Sequence, residues 1–589
     1  MTSTATYNNL QPARFHDPGA ATGTGAICNI GSHLSRMAAR MPDEPAVIVA
    51  RARRRGHRYR QISFAELERL SNRYAEGLRA AGLARGMRVL LMVRPGFDFV
   101  ALVFAMLKLG AVPVMIDPGM GLVRLLDCVR RIELDAFVGI PLAQVMRVLR
   151  PGAFRGVRCV VTVGRKWFWG GTTLGALAEG AADEFEAVDT RADDTAAILF
   201  TSGSTGPAKG VVYEHGTFDA QIRMIQSQYG IEPGEVDLAA FPLFGLFSVA
   251  MGMTAVIPDM DASRPGRVEP ENIVRPVLDQ RATSAFGSPA VWRKVAPYCI
   301  EKGIKLPTLR RVLIAGAPVP WQVIEQLHRV IADDGEVHTP YGATESLPVA
   351  SISGRELLTV RAPSASDGPA LSALSARGGG TCVGRPVPGI DLRLIRISDE
   401  AIERWSDDLV VPDGELGEIT VAGPVVTEEY YGLPEATRLA KIPHGDTTWH
   451  RIGDVGYRDA EGRVWFCGRK SHRVVTEHGT MFTECCEPIF NEHPAVARSA
   501  LVGVGPKGRQ RPVLIVELDR AAPSSRASRT ALREELLALA RKHERTRPID
   551  RILFHPSLPV DIRHNAKINR EQLATWADGR SVSPHRVSL

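Results

Sequence analysis

The sequence predicts a two-domain α/β protein: a large N-terminal domain of mostly parallel sheets flanked by helices, and a smaller C-terminal domain. The chain has 589 residues, more than one hydrophobic core usually supports, so at least two domains are expected. Between residues 63 and 260, segments with helical periodicity alternate with short apolar runs typical of buried strands. Such alternation favours parallel strands covered by the helices that connect them.

The predicted elements follow in order. Apolar residues at helical spacing predict a helix over 27–41, followed by a strand over 46–50. The spacing then predicts a helix over 63–81, a strand over 89–93, a helix over 97–109 and strands over 112–116 and 196–200. Segments 362–380 and 521–528, rich in small residues, predict loops. A boundary near residue 468 leaves a basic C-terminal part of domain size.

Composition indicates a globular protein with a mild basic excess. The apolar fraction is 44%, the charged fraction 23%, and 72 basic against 65 acidic residues give a net charge of +7. The dense basic run at 51–60 predicts a solvated hairpin tip, and only Tyr59 there could stack on a base, so no nucleic-acid partner is expected. A docking site for an acidic carrier protein or an anionic lipid stays open as an alternative.

The remaining bulk features predict a cytoplasmic protein. The N-terminus lacks the features of a secretion signal, and the longest apolar stretch, 97–118, is interrupted by Asp98, Lys108 and Gly110, so no transmembrane segment is expected. The eight cysteines are scattered, which favours reduced thiols. Neither the cysteines nor the fifteen histidines show metal-ligand spacing, so no structural metal is expected.

The segment 201–210, directly after the predicted strand at 196–200, has the chemistry of a polyphosphate-binding loop. Glycines let backbone N–H groups turn towards an anion, hydroxyls add donors and a lysine adds positive charge. The spacing is not that of a Walker loop, because Ala208 precedes Lys209 and Gly210 follows it. A flexible polar loop is the alternative. The candidate phosphate-binding residues are Thr201, Ser202, Gly203, Ser204, Thr205, Gly206 and Lys209.

This loop and further motifs, in the same order, resemble the adenylate-forming (AMP-binding) superfamily of acyl-CoA synthetases, adenylation domains and luciferases. The resemblance covers nearly the whole chain. The further motifs are Ala315-Gly-Ala-Pro318, Tyr341-Gly-Ala-Thr-Glu345, Arg451-Ile-Gly-Asp454, Gly468-Arg469 and Asp561-Ile-Arg-His-Asn-Ala-Lys567-Ile. The resemblance implies ATP and Mg²⁺ as cofactors, a hinge at 468–473 between domains 1–467 and 474–589, and a mobile α+β C-terminal lid.

The resemblance also implies roles for single residues. Glu345 would hold Mg²⁺, a role that suits a hard carboxylate oxygen, and Thr344 would contact a phosphate. Tyr341 and Gly342 would lie against adenine, with Gly316, Ala317 and Pro318 on its other face. Asp454 would accept hydrogen bonds from the ribose hydroxyls, with Arg469 near the ribose or phosphate. Lys567 would bridge the acyl carboxylate and the α-phosphate, and Lys209 would serve the departing pyrophosphate.

Four positions depart from the pattern of thioester-forming members. Gly245 follows Pro242-Leu-Phe244 where many relatives have His, and Ser471 stands where Asp or Lys is common. The lysine motif reads Asn565-Ala566-Lys567 instead of Ser-Gly-Lys, and Gly479 comes one residue late. These departures weaken the expectation of CoA ligation without excluding it.

The amino-acid sequences of segments 200–213, 468–475 and 560–568 are similar to those of one branch of the superfamily, the β-lactone synthetases of bacterial long-chain olefin biosynthesis. That resemblance implies a 2-alkyl-3-hydroxy fatty acid whose β-hydroxyl attacks the adenylated acyl carbon. His564 and Asp561 are candidate bases for this step, with helix capping or ion pairing as equal alternatives. Assembly with other enzymes of the same lipid pathway is a further expectation.

An apolar acyl pocket is expected beside the nucleotide. Its candidate residues, each with plain core packing as the alternative, are Phe244, Phe247, Met251, Phe286, Gly287, Val291 and Trp292. Two alternative functions stay open: ligation of a long-chain acid to CoA or an acyl carrier protein, and an inactive lipid-binding scaffold. Retention of Lys209, Glu345, Asp454 and Lys567 argues against the scaffold.

Overall fold

The computed structural model describes residues 26–53, 56–201, 208–360, 379–519, 525–560 and 568–579. The strands of the first half are β1 Pro45–Ala52, β2 His57–Ser63, β3 Arg88–Met92, β4 Val112–Ile116, β5 Ala136–Gly139, β6 Cys159–Thr162, β7 Thr172–Thr173, β8 Thr195–Thr201, β9 Lys209–Glu214, β10 Val236–Ala239, β11 Thr254–Ile257 and β12 Ser284–Gly287. Those of the second half are β13 Arg311–Ile314, β14 Glu336–Ala343, β15 Ser346–Ser353, β16 Thr381–Pro386, β17 Asp391–Ile395, β18 Gly417–Ala422, β19 Lys441–His444, β20 Thr447–Arg458, β21 Val464–Arg469, β22 Val474–Thr476, β23 Gly479–Met481, β24 Val496–Val504, β25 Arg511–Leu518 and β26 Arg551–Phe554.

The helices flank these strands. They are α1 Ser32–Arg40, α2 Phe64–Ala80, α3 Phe97–Lys108, α4 Leu122–Arg131, α5 Pro141–Leu149, α6 Leu174–Ala178, α7 His215–Tyr229, α8 Pro242–Ala250, α9 Glu271–Asp279, α10 Pro289–Lys302, α11 Trp321–His328, α12 Gly354–Val360, α13 Pro434–Ala440, α14 Thr483–Asn491, α15 Arg526–Lys542 and α16 Arg570–Asp578.

Two large sheets form the N-terminal part, and the predicted fold class is confirmed. The seven-stranded sheet has the order β7-β6-β5-β3-β4-β8-β9, parallel except for the antiparallel β8–β9 pair. The fourteen-stranded sheet contains a parallel block, β14-β13-β12-β10-β11-β1, continued by antiparallel strands from β15 to β21. After residue 470, β24, β25 and β26 form a separate small sheet beside α14, α15 and α16.

Most predicted elements form within a residue or two of their expected bounds. Helix α2 begins after Ser63, whose hydroxyl accepts from the Glu66 N–H at 3.2 Å while the Glu66 carboxylate accepts from the Ser63 N–H at 2.9 Å. Strands β1 and β2 pair as the antiparallel hairpin expected around the basic run, with residues 54 and 55 outside the described part. The predicted loop over 362–380 lies almost wholly outside the described residues.

Two predicted bounds were wrong. The first helix begins at Ser32 instead of residue 27, because tertiary hydrogen bonds hold the preceding backbone in place. The Asn29 amide donates to the Val188 carbonyl at 2.9 Å, and the Ile30 N–H donates to His215 Nδ1 at 3.2 Å. At the other end of the chain, α15 begins at Arg526, inside the predicted loop, because Ser525 Oγ caps it by accepting from the Ser528 N–H.

The interrupted apolar stretch forms a core helix and the strand after it. Helix α3 is buried along nearly its whole length, including Lys108, whose amine donates to Glu68 Oε2 and Asn72 Oδ1 at 2.7 Å each. A buried charge is tolerated where it is paired in this way. Among the helices of the described segments, none is long and apolar enough to cross a membrane. All eight cysteines are free thiols.

Candidate active site

The carboxyl ends of four neighbouring parallel strands bring several predicted site segments to one edge of the larger sheet. Strands β10, β12, β13 and β14 lie side by side, and each is followed by such a segment. These segments begin at Phe241 after β10, at the end of β12 with Phe286 and Gly287, at Ala315 after β13, and over the last residues of β14. Ligands of open α/β sheets bind at this kind of edge.

Tyr341, Asp454 and Arg469 form one hydrogen-bonded unit. The Tyr341 hydroxyl donates to Asp454 Oδ2 at 2.6 Å, and Arg469 Nη1 lies 3.1 Å from Asp454 Oδ1. Burial and the neighbouring carboxylate raise the pKa of the Tyr341 phenol, whereas the Asp454 carboxylate raises that of Arg469. Three residues predicted from separate motifs therefore lie together, although Asp454 and Arg469 come from different strands, β20 and β21.

Two glycines of the predicted adenine segments are required by the backbone. Gly316 has φ of +97°, a conformation that side chains disfavour, in the half-exposed turn with Ala317 and Pro318 after β13. At Gly342 an added Cβ would lie 2.7 Å from the Ser346 carbonyl oxygen, because the β14–β15 hairpin folds tightly there. Both turns thus expose backbone at the sheet edge.

Lys209, Tyr430 and Glu345 form a second unit. The Lys209 amine lies 4.5 Å from the centre of the Tyr430 ring, and the Tyr430 hydroxyl donates to Glu345 Oε1 at 2.8 Å. Burial lowers the pKa of Lys209, and the Glu345 carboxylate opposes that effect. Tyr341 of the first unit and Glu345 of the second lie on one segment, at the end of β14 and in the turn after it, so the two units are neighbours. The structure therefore brings Lys209 and Glu345 together, as the sequence predicts.

A segment that the sequence analysis missed, 426–431, joins the two large sheets at this point. Tyr430 pairs with Val211, two residues after the start of β9, and Val426 pairs with Ser346 at the start of β15. The Thr427 N–H and hydroxyl both donate to the Glu345 carbonyl, at 2.9 and 3.2 Å. Neither Thr427 nor Tyr430 belongs to a motif with characteristic spacing, so the sequence contains no signal for their role.

Beneath the ribose motif lies a buried ion cluster centred on Glu418, which is fully buried. Arg451 Nη2 lies 2.7 Å from Glu418 Oε2, and Lys470 Nζ lies 2.7 Å from Glu418 Oε1. The cluster connects the predicted hinge residue Lys470 to the strand that contains Asp454. It fixes the position of β20 relative to the end of β21.

Aromatic side chains connect the segment around Thr344 to the predicted acyl pocket. The rings of Phe244 and Phe286 stack with centroids 3.9 Å apart, and Phe247 lies 6.0 Å from Phe244. Phe218 continues the row to Tyr213, whose hydroxyl donates to the Thr344 carbonyl. Phe247 and Phe286 are half-buried, whereas Phe244 and Met251 are buried in the same core.

Val291 and Trp292 lie apart from this row. Both are fully buried in a different core, which packs α10 against the opposite face of the larger sheet. Gly287 directly follows Phe286 in the chain and packs closely against Trp292, since an added Cβ at Gly287 would lie 2.9 Å from Trp292 Nε1. Core packing is the role that their contacts show, and contact with an acyl chain stays a prediction.

Several predicted residues lie outside the described part of the chain: Ser202, Gly203, Ser204, Thr205, Gly206, Asp561, His564 and Lys567. Their roles stay predictions. Thr201, the last residue of β8, pairs with Lys209, the first residue of β9, so the phosphate loop begins and ends at adjacent positions. No group of three or more metal-ligating side chains was found among the residues that the structure describes.

This fold and site define an adenylate-forming enzyme. The family model described as AMP-binding enzyme matches residues 34–431, and the chain belongs to that family.

Two relatives align with nearly the full length of the chain. It is 46% identical over 567 residues, 94% of this chain and 98% of the relative, to an olefin beta-lactone synthetase from Xanthomonas campestris. An olefin beta-lactone synthetase from Stenotrophomonas maltophilia is 46% identical over 560 residues, 93% of this chain and 98% of the relative. The fold is also similar to ATP-bound MatB from Rhodopseudomonas palustris, with a TM-score of 0.73, 22% identity and coverage of 94% and 99% of the two chains.

Proposed function

We propose that the protein adenylates a long-chain 2-alkyl-3-hydroxy fatty acid with ATP and then closes it to a β-lactone, releasing AMP and pyrophosphate. The observation that supports this proposal most strongly is the 46% identity, over 94% of the chain, to an olefin beta-lactone synthetase. The product lactone would be an intermediate of long-chain olefin biosynthesis. Assembly with other enzymes of that pathway, and a cytoplasmic location, stay predictions.

The two units at the sheet edge suit the two ends of a nucleotide: the unit with Asp454 suits the adenosine, and the unit with Lys209 suits the phosphates. The Asp454 carboxylate would accept from the ribose hydroxyls while Arg469 balances its charge, and Tyr341 would lie against adenine. Lys209 would contact the phosphates from the first position of β9. MatB, which has a similar fold, was solved with ATP bound.

Glu345 fits the role of Mg²⁺ ligand. Its Oε1 accepts from the Tyr430 hydroxyl, and its backbone carbonyl accepts from Thr427, so the side chain and its backbone are both oriented. Carboxylate oxygens are the ligands that Mg²⁺ prefers, usually together with phosphate oxygens and water. When bound there, the ion would supply positive charge beside the phosphates.

Adenylation would solve an electrostatic problem. A carboxylate is a poor electrophile because it is already negatively charged. Its oxygen would attack the α-phosphate, the bond to the β-phosphate oxygen would break, and pyrophosphate would leave. Lys209 would offset the charge that develops on the pyrophosphate, and Lys567 would bridge the carboxylate and the α-phosphate.

Lactone closure would need no second substrate. The β-hydroxyl oxygen would attack the acyl carbon, the bond to the AMP oxygen would break, and the hydroxyl proton would pass to a base, for which His564 and Asp561 are the candidates. Holding hydroxyl and acyl carbon close makes the step intramolecular, which lowers its entropic cost. Gly245 and Ser471, which depart from the pattern of thioester-forming relatives, are consistent with a site that does not receive a thiol.

Product analysis tests the proposal. The purified protein would be incubated with ATP, Mg²⁺ and a long-chain 2-alkyl-3-hydroxy acid, with and without CoA, and the products identified by NMR. We expect a β-lactone and AMP without CoA. A thioester formed only with CoA would instead assign the chain to the acyl-CoA ligases, and release of neither AMP nor pyrophosphate would favour the inactive scaffold.

A further inference from the structure

A basic groove outside the nucleotide site lies beside the β1–β2 hairpin and the segment leading into α3. Its volume is about 570 Å³, and five exposed arginines line it: Arg51, Arg53, Arg58, Arg60 and Arg94. Arg51 faces Asp259 at 3.5 Å, and Arg60 lies over the Phe97 ring. Within the described part of the chain, Arg53, Arg58 and Arg94 have no ion-pair partner, and the one acid in the groove, Asp98, accepts from Tyr74.

Exposed apolar side chains continue from this groove. Ile140 and Val163 line its wall, and the chain runs from them directly into α5 and into the loop 164–171. Of the eleven exposed large hydrophobic residues in the described chain, three lie on these segments next to Ile140 and Val163: Leu142, in the first turn of α5, and Trp167 and Phe168, in the loop. Leu142 is 73% exposed, Phe168 77% and Trp167 54%, whereas solvent-exposed side chains of these types are usually scattered singly.

The aromatic loop is anchored from within. Trp169 is buried, and its Nε1 donates to Thr162 Oγ1 at 2.9 Å. The rings of Trp167 and Phe168 both lie 5.3 Å from the Trp169 ring, so the buried residue supports the two exposed ones. Arg165 and Lys166 precede them in the same loop, and both are exposed. The loop therefore presents basic and aromatic side chains from a fixed base.

We propose that this surface, which consists of the arginine groove, the first turn of α5 and the loop 164–171, docks the protein on an anionic phospholipid bilayer. The arginines would contact headgroup phosphates, and Leu142, Trp167 and Phe168 would enter the interface. Clustered basic residues are attracted to anionic leaflets, and amphipathic aromatic rings favour the headgroup depth. Binding of this kind combines buried apolar area with charge attraction.

The chemistry of the surface favours a bilayer over an acidic protein or nucleic acid. A folded acidic partner would match the arginines but would need a complementary pocket for each protruding apolar side chain, whereas a bilayer accepts them without one. A nucleic acid would need aromatic rings within the groove, and the ring that lines it, Phe97, lies under Arg60. The surface contains no residue assigned to adenylation, so this proposal does not depend on the proposed function.

Vesicle flotation of the full-length protein tests the electrostatic part. We expect binding to vesicles of phosphatidylglycerol and phosphatidylcholine, weakened by salt, and little binding to phosphatidylcholine alone. The double variant Arg58→Gln/Arg94→Gln should reduce partitioning on the order of tenfold or more. The matched control Arg310→Gln/Arg404→Gln removes the same charge from exposed positions outside this surface and should bind as the wild type does.

Fluorescence tests the insertion of the aromatic loop. Brominated phosphatidylcholine in anionic vesicles should quench tryptophan emission, and Trp167→Phe should abolish most of that quenching. Phe168→Ser should weaken flotation severalfold, whereas Ile300→Ser, at an exposed apolar position elsewhere, should not. Unchanged circular dichroism and pyrophosphate release would show that the variants are folded.

Three results would overturn the proposal. They are equal binding to neutral and anionic vesicles, wild-type binding by both the arginine and the Phe168 variants, and quenching that persists in Trp167→Phe. An absence of vesicle binding, with saturable binding of a small acidic protein that Arg58→Gln/Arg94→Gln abolishes, would assign the groove to a protein partner.

Discussion

At the scale of single residues, Asp454 makes two contacts in the proposed nucleotide site, since it accepts a hydrogen bond from Tyr341 and forms an ion pair with Arg469. Asp454→Asn should weaken ATP binding roughly 30-fold, equal to about 2 kcal/mol, because hydrogen bonds to a charged group contribute about that much. Titration calorimetry with ATP would measure it. Tyr341→Phe retains the carboxylate and should have a smaller effect, and an equal loss in both variants would show that Asp454 does not contact the ribose.

Tyr430 should act on Mg²⁺ through Glu345. Tyr430→Phe removes the hydroxyl that donates to Glu345 Oε1, and loss of such an orienting contact typically weakens metal binding by about tenfold or more. We expect the Mg²⁺ concentration for half-maximal pyrophosphate release to rise by that factor.

The neighbouring Tyr431 offers a control for this variant. Its hydroxyl accepts from Arg88 instead of contacting Glu345, so Tyr431→Phe should leave the Mg²⁺ requirement unchanged. The same shift in both variants would contradict a specific role for Tyr430.

Asp237 should make stability depend on pH. It is fully buried in β10, and burial raises the pKa of its carboxyl from 3.8 to about 6. Between these values the folded state binds a proton more tightly than the unfolded state, so the free energy of unfolding falls as pH rises from about 4 to about 6. Asp237→Asn should remove this slope and add up to about 3 kcal/mol at pH 7.

Urea unfolding at pH 4.5 and 7 would test this prediction. Ser248→Ala serves as the control, because it removes the 2.8 Å hydrogen bond to Asp237 but leaves the carboxyl to titrate. The same pH slope in the wild type and in Asp237→Asn would show that this group does not titrate differently on folding.

The residues that the sequence could predict are those in motifs, and those it missed are connected only by the fold. Resemblance to the motifs of adenylate-forming enzymes predicted Lys209, Glu345, Asp454 and Arg469, and the structure pairs Asp454 with Arg469 and brings Lys209 near Glu345 through Tyr430. Tyr430 lies 85 residues from Glu345, and Lys470 lies 52 residues from Glu418. Neither pair has a local pattern, because the contact arises only when distant strands become neighbours.

At the scale of elements, hydrophobic periodicity predicted α2, α3 and β4 because local spacing and capping determine them. It failed at the start of α1, where Asn29 and Ile30 bond to distant groups instead of continuing the helix. The order of strands in the sheets was also beyond the sequence, since β10, β12 and β13 are adjacent only through crossover connections.

Helix α16 should depend on one buried ion pair. Arg570 Nη2 lies 2.7 Å from Glu487 Oε2, and Glu487 Oε1 also accepts from the Leu501 N–H, which ties α16 to α14 and β24. Arg570→Met should cost about 3 kcal/mol, because it leaves a carboxylate buried without its partner. Hydrogen exchange in α16 should accelerate accordingly.

A second substitution separates charge from packing in this pair. Arg570→Met/Glu487→Gln removes the unpaired charge and should recover part of the protection in α16. Exchange that stays at the wild-type rate in Arg570→Met would show that packing alone holds the helix.

At the scale of the whole molecule, we propose that residues before the predicted hinge bind the nucleotide and that Lys567, after the hinge, accelerates the reaction. A substitution of Lys567 tests this proposal. The groups assigned to the nucleotide, Lys209, Glu345 and Asp454, all precede the predicted hinge at 468–473, whereas Lys567 follows it. Lys567→Ala should therefore reduce pyrophosphate release by roughly 100-fold or more while ATP binding persists, because a lost transition-state contact affects rate more than ground-state affinity. Asp454→Asn should show the opposite balance, with weaker ATP binding as its main defect. Calorimetry and single-turnover pyrophosphate assays on both variants would separate these effects. A Lys567→Ala enzyme that retains its wild-type rate would remove the lysine from the mechanism and, with it, the reason to expect the C-terminal part to close over the site during adenylation.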